Sequence, residues 1–380
     1  MSMASLSTEL DTRIASFLGT DTYTLDKLSR VSKYYREITV PILYKDLWFW
    51  QGQKDCILCL LRTMVEQPEL ELHIHSFQLG YRKEMLPRSD RKTSGNNEWI
   101  WKNAGRIIVL INRLGGHILP PEMLLRWTAG LFKPPLSLDA ALATVLTMAT
   151  NLEYIQLYHT QMLLLQMTSS LIEWQWLPTH NGDGSFPFWK LKHLCIRSNW
   201  VSSWQLPQTA VLPSLEVIKV RNYQRGEHFV DKAPLKFPYP LTTTCRLREL
   251  DFRGVAVMPT QFERLLRSPW LQNVQRLVVV GRGGADIHWN GYEFNRISEA
   301  ICSNLHNVEC IYWCGPDYSR GLRPFGSFKS LMKLHILQVG QGIIRLPRND
   351  TNTDGILLIR VNIYRRGYAV SPFWISMSWN

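Results

Sequence analysis

The sequence predicts an α/β protein: an amino-terminal three-helix module over residues 1-50, followed by a curved αβ solenoid with parallel strands over residues 51-380, in which 51-150 hold connecting segments and the first irregular repeats. Three observations carry this expectation. Short helical patterns crowd the amino terminus, one six-residue motif keeps returning from Leu152 onward, and helical stripes lie between copies of it. At 380 residues the chain is too long for one ordinary core, whereas a stack of repeats has no such limit.

The helical patterns come first. Leu6, Leu10, Ile14, Phe17 and Leu18 recur at helical spacing, with Ser7 placed to cap the helix and Gly19 to end it. Leu25, Leu28 and Val31 share a face after Thr24. A third pattern starts at Ser32, carries Tyr35 and Ile38, and is expected to stop before Pro41, because the residue preceding a proline avoids helical backbone. Helices this short bury little alone and need each other, or a partner, to cover their apolar faces.

The recurring motif is an apolar residue, two variable residues, an apolar residue, one variable residue and an apolar residue. It reads LEYIQL, LKHLCI, LEVIKV, LRELDF, VQRLVV, VECIYW, LHILQV and ILLIRV, starting at 152, 191, 215, 247, 274, 308, 334 and 356, with an earlier copy, IHSFQL, at 74. Its last three residues alternate in and out as strands do. The spacings mostly fall within or just above the roughly 20 to 29 residues of leucine-rich repeats. Helices fill the longer gaps: Leu142, Val145, Leu146 and Ala149 form one stripe, and Ile297, Ala300, Ile301 and Leu305 another. Between them, Thr260 and Glu263 have the spacing of a capping box ahead of Phe262, Leu265 and Leu266. Strand then helix, repeated, means parallel strands. Three stretches rich in Gly, Pro, Ser, Asn or charge, 82–97, 178–188 and 222–244, interrupt the rhythm as loops that either carry recognition or merely connect.

Chemistry is sparse. Gly281, Gly283 and Gly284 follow an apolar strand as a phosphate loop would, but Asp286 stands where a third glycine belongs, so a turn explains them better. Cys56 and Cys59 form a single CxxC inside an apolar helical run and read as structural thiols, since zinc needs four ligands. Cys310 and Cys314 flank Tyr312 on one side of a strand, and His73 and His75 alternate along a strand-like stretch; neither pair has metal-ligand company. No nucleophile elbow or HExxH pair is present, so no enzymatic activity, cofactor or metal is expected. Seven cysteines, an amino terminus carrying Glu9 and Asp11, and no apolar run of about 18 residues point to an intracellular chain, cytoplasmic or nuclear, without a membrane span.

Lys and Arg number 43 against 31 Asp and Glu, a net charge of +12 that suits an acidic partner. In the repeat register, the variable residues of each strand point to the concave side. These include Tyr154, Tyr158, Arg197, Lys219, Arg221, Glu249, Asp251, Arg253, Arg276, Tyr312 and Arg360. Tyr154, Arg197, Lys219, Arg221, Arg253, Arg276 and Tyr312 are therefore candidate contacts to an acidic or phosphorylated protein segment, because arginine and tyrosine are enriched at binding hot spots. The plainer alternative is a set of ordinary solvated strand residues, and a one-residue slip of register would turn every one of them inward. No nucleic-acid-binding motif is present, so no specific nucleic-acid partner is expected.

The run LSTELDTRIASFLGTDTYTLDKLSRVSKYYREITVPILYKDLWF resembles the fungal F-box. It supplies Leu6, Glu9, Leu10, Ile14, Leu18, Leu25, Leu28, Val31, Ser32, Tyr35, Pro41, Leu43 and Tyr44 in the family's order, and departs from it at Ser7, where the family usually has proline. The resemblance implies that Leu6, Leu10, Ile14, Leu18, Leu25, Leu28, Val31 and Tyr35 dock on the adaptor protein that links F-box proteins to the cullin scaffold. It further implies a cullin-RING ubiquitin ligase in which the leucine-rich-repeat solenoid holds a protein substrate. The competing expectation is a leucine-rich-repeat binding scaffold that never assembles a ligase, and a third, an enzyme with an unrecognised site, stays open because fold does not fix function.

Overall fold

The computed structural model describes residues 7–19, 21–50, 54–80, 94–116, 119–134, 136–159, 168, 187–198, 212, 214–221, 245–254, 259–280, 291–314, 330–339, 356–361, 364–365, 368–369 and 373–378. Three helices open it: α1 (Thr8–Phe17), α2 (Thr22–Ser29) and α3 (Lys33–Lys45). Ser7 caps α1, its side chain accepting from the Leu10 N–H, and Ser32 caps α3 in the same way through Tyr35. Asp21 caps α2: its carboxylate accepts from the Thr24 N–H at 3.0 Å and the Thr24 hydroxyl at 2.6 Å. The helix expected to end before Pro41 runs through it to Lys45. Ile42 and Leu43, beyond the proline, pack on the cluster of Ala15, Leu25 and Ile38, and this packing offsets the backbone bond that proline cannot make.

The chain divides into two compact units, the first comprising residues 1–159 and 163–191 and the second residues 160–162 and 192–380. The fold is mixed α/β, and its nine strands from β1 to β9 run parallel in chain order, three in the first unit and six in the second.

In the first unit, β1 (Asp46–Trp50), β2 (Ser76–Gly80) and β3 (Tyr154–His159) pair in register, Trp48 with Gln78 and Gln78 with Gln156. The α-helices α4 (Lys54–Glu66), α5 (Ser94–Lys102), α6 (Ala104–Gly115), α7 (Pro121–Phe132) and α8 (Leu138–Met148) accompany them. Every residue of α8 from Asp139 to Met148 is buried, as its unbroken small and apolar run requires. Its polar groups are met inside: the Trp127 indole donates to Thr144 Oγ1 at 2.9 Å, and Asp139 accepts from the Thr168 hydroxyl at 2.7 Å.

The second unit carries β4 (His193–Ser198), β5 (Val217–Arg221), β6 (Glu249–Arg253), β7 (Arg276–Val280), β8 (Cys310–Cys314) and β9 (Ile336–Val339). Helices α9 (Pro259–Leu266) and α10 (Gly291–Asn304) precede β7 and β8. In the copies from Ile74 to Trp313 the first, fourth and sixth residues of the motif are buried; around β6, Leu247 just before the strand and Leu250 within it are fully buried and Phe252 nearly so. β6 closes at Gly254, whose φ of 65° is the left-handed backbone glycine takes without strain.

Two features repeat that the motif alone did not contain. The N–H of its first residue donates to the carbonyl three residues earlier, as from Leu215 to Leu212, Val274 to Leu271, Val308 to Leu305 and Leu334 to Leu331, and each of these acceptors is a buried leucine. The residue just before the motif then reaches back one repeat. Asn151 donates to the Leu72 carbonyl at 2.7 Å, Asn273 to Cys245 at 2.8 Å and Asn307 to Gln272 at 3.1 Å, each acceptor lying two residues before the preceding motif.

Two further expectations need correction. Thr260 lies inside α9 and does not form the capping box; the Glu263 carboxylate is buried and meets Arg296 at 2.7 Å and Arg267 at 3.1 Å, because two guanidiniums satisfy it better than one backbone N–H. The last motif copy forms β10 (Ile356–Val361), which pairs antiparallel with β13 (Phe373–Ser378) and not as a further parallel strand. Between them, β11 (Tyr364–Arg365) and β12 (Tyr368–Ala369) also pair antiparallel, and a partner this near in sequence costs less closure entropy than a distant one. The glycines at 281, 283 and 284 and most of the three interrupting stretches lie outside the described residues, except that 94–97 begin α5 and 187–188 form a turn with Phe188 buried.

Candidate binding faces

Helix α1 turns Ala15 inward, onto Leu25 and Ile38, and its opposite face carries apolar residues into solvent. Leu10 is 44% exposed, Ile14 48% and Phe17 80%, at spacings of four and three that place them on one side. Val31 and Tyr23 are exposed as well. Of the residues expected to meet an adaptor, Leu10, Ile14 and Val31 are therefore accessible, while Leu18, Leu28 and Tyr35 are half-buried. Leu25 is fully buried and cannot touch a partner, since it fills the centre of the three-helix core. Leu6 lies outside the described residues.

The second unit presents the cationic face. On β4, β5 and β6, Arg197, Arg221 and Arg253 pair in one row, and Lys219 pairs with Asp251 in the row before it. Asp251 has no exposure and accepts from Arg221 Nη2 at 2.7 Å and from Arg253 Nε at 2.8 Å. Glu249, two residues earlier and on the same face, accepts from Lys219 Nζ at 3.2 Å and lies 3.5 Å from Arg276 Nε. The Arg276 guanidinium also lies over the Tyr312 ring, 4.9 Å from its centroid. Strand β6 thus supplies the carboxylates of two cation–carboxylate–cation triads. Each retains one net positive charge, and both carboxylates orient arginines rather than leaving them to sweep the solvent.

His193 on β4 has a lowered pKa, burial being the main cause, with Lys219 and Lys192 acting in the same direction against Glu216 and Glu249. Tyr154 and Tyr158 belong to β3 in the first unit, and Arg360 is on β10, which pairs with β13 and not within the parallel sheet.

The first unit has a different face, which the sequence reading missed. Trp48 and Trp50 alternate along β1 with Leu47 and Phe49, and Phe49 stacks on the buried Phe77. The two indoles therefore lie on the other side of the sheet, 5.1 Å apart, over Gly80, where a Cβ would come within 2.9 Å of Trp50. The alternation in DLWFW was the available signal, hidden because the strand follows α3 without a loop.

Among the described residues no group of three or more His, Cys, Asp or Glu could hold a metal ion. Cys56 and Cys59 lie on α4 as expected, but both are exposed while Ile57, Leu58, Leu60 and Leu61 are buried, so the pair sits on the helix's outer side. Partial desolvation against the helix surface raises the Cys56 thiol even though the residue is exposed, helped by Cys59 and Asp55, and burial pushes Cys245 up to about 11. Among the described residues no helix is long and apolar enough to cross a membrane. No known family's model matches the chain, and no curated protein matches it either.

Proposed function

We propose that this protein is the substrate-recognition subunit of a cullin-RING ubiquitin ligase, an F-box-like module joined to a leucine-rich-repeat-like solenoid. The observation that carries this reading is the stripe of Leu10, Ile14 and Phe17, held out of a core that α1, α2 and α3 complete without it. An apolar row on a capped helix gains by docking in a partner's groove, where the leucine and isoleucine surface still open to water would be covered. The ordered residues from Leu6 to Tyr44 favour the ligase's adaptor protein as that partner. The cationic face of the second unit then captures an acidic or phosphorylated protein segment, and the chemistry of ubiquitin transfer belongs to other subunits.

Affinity purification of the tagged protein tests this directly. Adaptor and cullin should co-purify with the wild type and vanish with Leu10→Glu/Ile14→Glu; their retention by that variant would overturn the assignment. One observation favours the alternative of a binding scaffold without a ligase: α3 runs into β1 with no intervening loop, as a capping helix of the sheet would. A wild-type preparation that brings down neither adaptor nor cullin would support that reading.

A further inference from the structure

We infer that Cys310 and His335, on the last two strands of the parallel run, are a nucleophile and its base, and that the pair exchanges with a small anionic disulfide and keeps one half of it as a mixed disulfide. This goes beyond the substrate reading and does not rest on it. His335 directly precedes β9, and its Nε2 lies 3.8 Å from Cys310 Sγ on β8, within the reach of a sulfur donor. The other ring nitrogen, Nδ1, lies 3.2 Å from the Lys333 carbonyl. A carbonyl oxygen only accepts, so Nδ1 carries the proton and the lone pair of Nε2 is the one turned to the thiol. A nucleophile beside a base that a third group orients is the arrangement that makes a weakly acidic thiol reactive.

Burial raises the Cys310 thiol, Arg276 lowers it and Glu309 raises it further. Little free thiolate therefore forms near neutral pH, so the proton has to leave as the sulfur attacks, and Nε2 is in place to take it. Cys245 is the contrast within the same unit, since its thiol donates to the Trp270 carbonyl at 3.2 Å and has no such acceptor to give its proton to. Arg276 sets the sign of the partner. It pairs with Cys310 across β7 and β8, its side chain is 44% exposed, and the Glu249 carboxylate 3.5 Å from its Nε is shared with Lys219, so a positive charge remains beside the sulfur. In the exchange, Cys310 Sγ attacks one sulfur of the disulfide, whose S–S bond breaks as the new one forms. The Cys310 proton passes through His335 Nε2 to the departing thiolate, which leaves as a free thiol. Cys310 is oxidised and the released half is reduced, so the step needs no other oxidant.

Glutathione disulfide, which is anionic at neutral pH, and cystamine, which is cationic, are the probes, incubated with the full chain. Mass spectrometry of the peptide carrying Cys310 reads the rate of adduct formation. His335 is exposed, so His335→Gln leaves the packing in place. At pH 7 it should slow the glutathione adduct by about tenfold, and the deficit should shrink toward nothing at about pH 10, where thiolate forms without a base. Arg276→Gln should lower the ratio of the glutathione rate to the cystamine rate by about threefold. Equal rates for wild type and His335→Gln at pH 7, a deficit that is the same at both pH values, or adducts confined to other cysteines such as the exposed Cys56 and Cys59 would each overturn the pair. A ratio unchanged by Arg276→Gln would overturn the anionic assignment.

Discussion

The Asp251 carboxylate and the Arg221 guanidinium, on neighbouring strands, meet at 2.7 Å with the carboxylate wholly out of solvent. A carboxylate so placed would be costly without its two cations, and the cations would repel without it. Asp251→Ala should therefore destabilise the protein by about 3 kcal/mol, the lower end of the range for breaking a buried pair, because Arg253 is partly open to water. Denaturant unfolding measures this; a loss below about 1 kcal/mol would mean that the pairs contribute no more than surface ones.

Exposure separates docking residues from core residues on the first three helices. Leu10→Glu/Ile14→Glu should leave the unfolding midpoint nearly unchanged, as both residues are about half in solvent. Leu25→Ala should cost about 2–5 kcal/mol, the range for emptying a fully buried leucine site. Comparable destabilisation by both would show that the α1 stripe is structural.

Asn304 at the end of α10 donates to the Leu266 carbonyl at 2.6 Å and the Ser268 carbonyl at 2.7 Å, closing the end of α9 from the next helix along the chain. Asn304→Ala should cost about 1–3 kcal/mol, since it strands partly buried carbonyls. Asn273→Ala, whose bond is solvent-exposed, should cost about 1 kcal/mol or less. The order of the two losses in thermal unfolding is the check.

His193 carries the expected pH dependence. Its folded pKa is below the ordinary 6.5, so the unfolded chain takes up a proton more readily. The stability this gives is present above the unfolded pKa and is lost as pH falls through the folded one. Relative to wild type, His193→Gln should therefore flatten the decline in Tm between pH 7.5 and pH 5. Parallel declines in the two proteins would remove His193 from the account.

Period and register made much of this legible in advance. The motif positions from Leu152 to Val339 fall on parallel strands because apolar residues at the first, fourth and sixth places leave one buried face, and the side chains of Lys219, Arg221, Arg253 and Arg276 then have to occupy the other. The salt-bridge partners were less visible. Glu249 and Asp251 stood in the same register, yet nothing in a sequence says that each carboxylate will bridge cations from two strands. Pro41 misled because local backbone preference was weighed without the packing of Ile42 and Leu43. The last motif misled in the opposite sense, since a periodic pattern cannot tell a tenth parallel strand from half of a hairpin. Helices α5 to α7 lay in a stretch without the motif, where only the apolar periodicity of residues such as Ile107 and Ile111 could have revealed them.

The seamless passage from α3 into β1 bears on how fragments of this protein would behave. β1 stands first in the strand order, so a row of its backbone N–H and C=O groups points away from β2. Such a row is a template for any extended chain, including another copy of itself, unless neighbouring structure obstructs it. A fragment beginning at Asp46 would keep Trp48 and Phe49 on that strand while losing the helix that leads into it. Removing the amino-terminal helices to study the remainder therefore also strips the helix that runs directly into a tryptophan-bearing edge strand, and self-association of that fragment is the expected result.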